Sequence, residues 1–250
     1  MSHGRHTALA VAAAGALALV GCATTQDESA ALQAKAASVD APGRVKIGRP
    51  SAEVRVRSRQ ELRGKATTAV VVELENTGPR ALVRVPIALR LTVGGKQQYA
   101  NDLDGGDELL LRVPVLPPRS RVSWVNANVP VADEGAKLDV VLGAPVRRSQ
   151  RPAAQLRVTG LRRSAEDSGE DGVAVVGVVH NDLRREQTEV PVYVTVRDGG
   201  RIVAAGSSRI PVIAARKSQP FEAVVVGDGR RGRLVAQALP TKLPKTQRSR

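Results

Sequence analysis

The chain has 250 residues, 42% of them hydrophobic and only 2% aromatic, with a net charge of +14. That much apolar content supports a packed core, and the Val, Leu and Ala that dominate it favour sheet. Cys22 is the single cysteine, and two of the three histidines (His3 and His6) sit at the N-terminus. Beyond it only His180 remains, so a multi-histidine metal site, a zinc finger, a Cys/His nucleophile pair and an intrachain disulfide are all excluded. The basic charge favours anionic partners. The Arg residues are scattered through strand patterns with few aromatics to stack bases, so nucleic acid is not expected as a partner.

Residues 1–6 carry one fixed positive charge at Arg5, and Thr7 to Gly21 is an uncharged, mostly apolar run. It is short for a membrane-crossing helix, which needs about 20 apolar residues, and it suits the core of a secretory leader. The run ends Leu19-Val20-Gly21-Cys22, which resembles the bacterial lipobox. The resemblance implies that Leu19, Val20 and Gly21 are recognised by lipoprotein signal peptidase. It also implies a diacylglyceryl group on the Cys22 thiol, and two or three acyl chains anchor stably where one does not. The leader thus spans 1–21, the n-region lacks Arg-Arg, and the general secretory route is expected.

Residues 22–50 are rich in Ala, Ser, Thr and Gln and read as a flexible tether. Asp27 to Val39 could form a short helix capped by Asp27, marginal on its own in water.

The rest of the chain contains one unit twice. Asn76 aligns with Asn181 at an offset of 105, and Val85-Pro86 with Val190-Pro191 and Gly94-Gly95 with Gly199-Gly200 keep that offset. Further on, 118–124 aligns with 215–221 at an offset of 97, so the first copy holds eight extra residues, including the acidic run Asn101 to Glu108. Val85, Ile87, Leu89, Leu91 and Val93 alternate with less apolar positions, as do Val190, Val192, Val194 and Val196. This period of two marks strands with one buried face. The Gly-Gly pairs read as hairpin turns needing positive φ. Ala69 to Leu74 and Val173 to Val179 are β-rich runs closed by turn residues at Asn76 and Asn181. Further short strands are predicted at 53–58, 109–113, 121–129, 137–142, 155–159, 201–205, 221–226 and 233–238. The prediction is an all-β chain: two tandem immunoglobulin-like antiparallel β-sandwiches, at 51–146 and 153–239, following the signal peptide and tether.

The second copy reads Gly177-Val178-Val179-His180-Asn181, then Val190-Pro191-Val192-Tyr193-Val194-Thr195-Val196-Arg197-Asp198-Gly199-Gly200, and later Phe221. This resembles the FxLYD domain, with Val196-Arg197-Asp198 in place of Leu-Tyr-Asp. The first copy departs further, with Thr92-Val93-Gly94 there and Trp124 at the Phe position. The strand grammar is shared with CARDB-like and other immunoglobulin-like extracytoplasmic modules. The resemblance implies a β-sandwich of surface or envelope proteins and implies no catalytic residues.

Four side chains in the first copy's insertion, Asp102, Asp104, Asp107 and Glu108, form a weak candidate Ca2+ site. They lack EF-hand spacing and have no counterpart in the second copy, so a solvated acidic insertion is favoured. The run Glu166 to Gly172 reads the same way. His180, beside a turn, is expected to be exposed or hydrogen-bonded, with no Ser-His-Asp arrangement legible around it. Trp124 and Phe221, at matching positions, are expected in the cores rather than as sugar platforms. From Gly229 the chain carries Arg230, Arg231, Arg233, Lys242, Lys245, Arg248 and Arg250 without an acidic residue. This is read either as an arm for anionic lipid or polymer or as a solvated tail, with 240–250 disordered.

The reading is of a non-catalytic, lipid-anchored extracytoplasmic protein that binds or scaffolds at the bacterial cell envelope, with no cofactor. Its expected partners are the membrane through Cys22, anionic envelope polymers or lipid headgroups, and an envelope protein complex. One alternative is an accessory subunit or chaperone of such a complex; a less favoured one is a hydrolase of envelope polymer.

Overall fold

Valine-rich runs punctuated by Gly, Pro and Asn become antiparallel strands. The computed structural model describes residues 47, 51–101, 108–130, 136–150, 156–165 and 172–243. The first copy comprises β1 (Val54–Arg63), β2 (Thr67–Asn76), β3 (Ala81–Val93), β4 (Lys96–Ala100), a short helix α1 (Glu108–Leu111), β5 (Arg112–Leu116), β6 (Ser120–Pro130), β7 (Lys137–Leu142) and β8 (Arg147–Ser149). The second comprises β9 (Arg157–Arg163), β10 (Val173–His180), β11 (Gln187–Asp198), β12 (Arg201–Ile213), β13 (Ser218–Gly227) and β14 (Arg233–Ala238). The all-β class expected from the pattern is what forms.

In the first copy the sheet β1-β2-β6 faces a sheet built around β3, which pairs with β4, β5, β7 and β8. Trp124, Val72 and Leu74 of one sheet share a core cluster with Leu82, Ile87, Leu89 and Val113 of the other. In the second copy the hydrogen-bonded path runs β14-β11-β12-β13-β10-β9. Strands β12 and β13 meet only at Ala204–Gly227 and Ala205–Val226. Beyond that corner the sheet folds over, placing Phe221 and Val225 against Val190, Val194 and Ile213.

Both Gly-Gly pairs close two-residue hairpins. Gly94 and Gly95 (φ 54° and 78°) join Val93 to its partner Lys96, and Gly199 and Gly200 (φ 53° and 85°) join Asp198 to Arg201. Positive φ at both central positions is the type I′ turn, whose twist matches that of the strands.

The repeat extends to a device the alternation conceals. Arg84 and Glu189, which precede the two Val-Pro pairs, also have positive φ, at 54° and 51°. Register pairs Val83 with Val115 and Val85 with Val113, so Arg84 stands opposite Pro114. Glu189 stands opposite Pro211 in the same way. Proline has no N–H to lose where the ladder is interrupted. The kink turns the strand over, and Leu82 and Val85, three residues apart, enter the same core.

Three sequence expectations need correction. The strand expected at 109–113 begins at Arg112, because Glu108 to Leu111, all strong helix formers, make a helical turn first. Residues beyond 146, left outside both predicted sandwiches, contribute β8, which pairs with Ala81–Val83. Strand β11 does not have a single buried face: Pro191, Tyr193 and Thr195 are buried along with the alternating valines.

That second face is covered by the other sandwich. Tyr193, Ile202, Ala205, Val226 and Leu239 belong to the same apolar cluster as Val71 and Val125. The outer face of β1-β2-β6 therefore packs on β11, β12 and the end of β14. Polar contacts fix the match. Gln60 Nε2 donates to the Ile202 carbonyl at 2.6 Å, and the Ser123 N–H donates to Gln237 Oε1 at 2.9 Å. Arg197 Nη2 reaches Glu73 Oε1 at 2.5 Å. Full burial of a side chain such as Ile contributes about 1.5–3 kcal/mol, so a handful of such residues makes the two sandwiches one body. The described residues of both sandwiches accordingly fall in a single compact unit.

Candidate functional site

The lipobox residues Leu19, Val20, Gly21 and Cys22 lie outside the described residues, as do Asp102, Asp104 and Asp107. Glu108 opens α1, but its side chain is outside them too. Among the described residues no three His, Cys, Asp or Glu side chains are grouped to hold a metal ion.

His180 ends β10, pairing with Arg157 on one side and Ser218 on the other. Its Nε2 lies 2.7 Å from Thr159 Oγ1 and its Nδ1 2.8 Å from Ser218 Oγ. Both ring nitrogens are thus engaged by hydroxyls, which tie β9, β10 and β13 together. A Ser-His-acid relay would need a carboxylate on one nitrogen; here the partner is a threonine. Thr159 and Ser218 carry no sequence signal as His180 partners, because their pairing depends on strand register. Trp124 is fully buried and Phe221 is 6% exposed, so both serve the cores.

The basic residues grouped as one arm by sequence are divided by the fold. Arg230 and Arg231 occupy the turn between β13 and β14, and Arg233 begins β14 opposite Arg197. Arg163 braces this turn by donating to the carbonyls of Gly229 (2.7 Å) and Gly232 (2.9 Å). Lys242 lies beyond the other end of β14. Lys245, Arg248 and Arg250 lie outside the described residues. The segment Pro240 to Leu243, expected to be disordered, is instead pinned. Gln187 Oε1 accepts from the N–H groups of Thr241 and Lys242, each at 2.9 Å, and Gln187 Nε2 donates to the Lys242 carbonyl at 3.0 Å. Thr241 Oγ1 donates to the Thr188 carbonyl at 2.7 Å, and Arg185 Nη1 donates to the Leu243 carbonyl at 3.2 Å. The Leu243 side chain is buried against Ala81, Val83 and Val115 of the first sandwich. A polar segment folds here because a fully buried glutamine 54 or 55 residues earlier supplies the partners.

At this end of the sandwiches the repeat is most faithful. Asn76 Nδ2 donates to the carbonyls of Arg80, Leu116 and Pro117 at 2.8, 3.2 and 2.8 Å, and its Oδ1 accepts from Gly78 N–H. Asn181 Nδ2 donates to Arg185, Ile213 and Ala214 at 2.9, 2.9 and 3.0 Å, and its Oδ1 accepts from Leu183 N–H. Each asparagine thereby binds two loops into one surface. Those loops present Arg80 and Arg119 in the first sandwich, and Arg184, Arg216 and Lys217 in the second, all exposed. Arg119 and Arg216 both have positive φ, 47° and 60°, which lets their loops turn back: Arg119 N–H donates to Gly78 and Arg216 N–H to Leu183. The acidic side chains here are already paired, Glu53 with Arg148, Asp182 with Arg157 and Glu186 with Lys242. Leu243, buried beside Ala81 and bonded to Arg185, joins the two halves of the surface.

Elsewhere carboxylates serve as struts. The Glu73 carboxyl is held below its ordinary range, first by the Ser58 hydroxyl and then by the Arg197 guanidinium, which together outweigh the opposing effect of burial. Burial pushes the Tyr193 phenol far above its usual range.

No protein-family model matches this chain, and no curated protein matches it.

Proposed function

We propose that the chain is a lipoprotein of the bacterial cell envelope, held outside the membrane by acyl chains on Cys22. Its two FxLYD-like, immunoglobulin-like sandwiches bind or scaffold and do no chemistry. The observation that carries this reading is Leu19-Val20-Gly21-Cys22 at the end of an apolar leader, with no second cysteine in the chain. The arrangement of charged groups supports the non-catalytic part. The carboxylates Glu53, Glu73, Glu75, Asp182 and Glu186 engage arginines or lysines that tie neighbouring strands and loops together.

Replacing Cys22 by Ala tests it. The expected product is an unprocessed or released form that incorporates no labelled fatty acid. A Cys22→Ala protein that still incorporates fatty acid contradicts the reading.

A second reading, an accessory subunit of an envelope complex, is favoured by the opening between β12 and β13. Past their two paired residues these strands diverge around a cleft of about 440 Å³, lined by Ile210, Pro211, Val212, Pro220 and Phe221. Val212 there is 45% exposed. Unpaired strand edges of this kind accept an added strand. A crosslinking amino acid at position 212 that captures a stoichiometric envelope protein in cells would favour it.

A further inference from the structure

The end of the sandwiches organised by Asn76 and Asn181 holds a surplus of positive charge that no internal pairing absorbs. Arg80, Arg119, Arg147, Arg184, Arg216 and Lys217 are exposed, and none has an ionic partner among the described residues. The carboxylates nearby, Glu53, Asp182 and Glu186, are each taken by another basic side chain.

The chain also enters and leaves the described fold at this end. Glu53, near the start of β1, accepts from the N–H of Thr77 at 2.8 Å and touches the Gly78 turn. Leu243 is seated on Ala81 and Val83, and the sequence beyond it adds Lys245, Arg248 and Arg250. The sequence before residue 51 leads back to Cys22. The connections at the far ends of the strands are acidic in sequence. There Arg163 connects to Val173 through sequence carrying Glu166, Asp167, Glu170 and Asp171, and Pro130 connects to Lys137 through Asp133 and Glu134.

We propose that the Asn76/Asn181 end is a docking surface for anionic phospholipid headgroups, turned toward the bilayer that holds Cys22. The orientation rests on the lipoprotein reading; the headgroup affinity does not. Guanidinium groups suit phosphate because their planar fork donates two parallel hydrogen bonds. The loops that carry them are fixed by buried asparagines, so little ordering is needed on binding. A basic residue close to an anionic bilayer adds about fivefold in affinity, and the effect is screened within a Debye length.

The test uses the chain from residue 22 with Cys22→Ala, so that no acyl chain contributes, in co-sedimentation with vesicles. One set contains phosphatidylglycerol in phosphatidylcholine, the other phosphatidylcholine alone. The expected result is binding to the anionic vesicles only, weakening steeply with salt. The triple variant Arg80→Glu, Arg119→Glu, Arg184→Glu should lose at least about a hundredfold in affinity. A control with the same net charge, Arg201→Glu, Arg230→Glu, Arg231→Glu, should retain most of it. If the first triple does not fold, as read by circular dichroism, the corresponding Arg→Gln changes give a graded loss in its place. Equal loss in both triples, binding to phosphatidylcholine alone, or absence of vesicle binding while an anionic wall polymer is bound would each overturn the proposal. The outcome is independent of the anchor: vesicle binding without fatty-acid incorporation at Cys22 in cells would retire only the lipoprotein reading, and the reverse pattern only this one.

Discussion

Asn76 and Asn181 illustrate how one residue type sets local structure in both copies. Each is fully buried, and each satisfies carbonyls that would otherwise be stranded at the end of a strand. Serine is too short to reach three of them, and an aspartate would present oxygen to oxygen. Asn181→Ala should destabilise the chain by about 3 kcal/mol, the cost of leaving buried polar groups unpaired. Urea unfolding measures this directly; a loss below about 1 kcal/mol would mean that the asparagine is not organising these loops. The asparagines were legible as strand-ending residues. Their partners were not, because Asn76 reaches Leu116 and Asn181 reaches Ile213 across more than thirty residues of sequence.

At the scale of the element, the hairpins were legible in full. Gly-Gly between alternating apolar runs is a strong local signal, and it depends on nothing remote. Gly200 has φ 85° with open space around its α-carbon, so Gly200→Val isolates backbone strain from crowding. It should cost about 1–2 kcal/mol in thermal or urea unfolding, and a neutral result would contradict the turn assignment. The kinks at Arg84 and Glu189 were concealed. Period-two alternation assumes a regular pleat, and a residue with positive φ opposite a proline resets it. Strand β11 misled in a related way. Its valines announced one buried face, and Pro191, Tyr193 and Thr195 between them looked like the exposed one. A run with so few charged residues is equally what a strand buried on both sides looks like. The choice between the two depended on a partner sheet whose nearest strand, β6, ends about 60 residues earlier.

For the whole molecule, the duplication produced more than two modules on a string. The outer face of one sandwich became the floor for the other, and Pro240 to Leu243 fastens them at one end. Composition alone made that last segment look unstructured, since its anchors are Gln187 and Ala81, both remote in sequence. Leu243→Asp should therefore weaken the fastening without touching either main core. Its expected effect is a loss of about 2–3 kcal/mol, from an exposed charge in place of a buried leucine, with faster hydrogen exchange at Thr241 and Lys242. Unchanged exchange there would show that the fastening does not depend on Leu243.

An end that gathers both termini of the described fold and a surplus of arginine is well suited to a protein held close to a bilayer. The proposed membrane anchoring turns on the chemistry at Leu19-Val20-Gly21-Cys22. Mass spectrometry of the N-terminal peptide of the mature protein, purified from bacterial membranes, tests it most directly. The account predicts that the peptide begins at Cys22 and carries a diacylglyceryl thioether. A mature chain that starts elsewhere, or an unmodified Cys22, would contradict it.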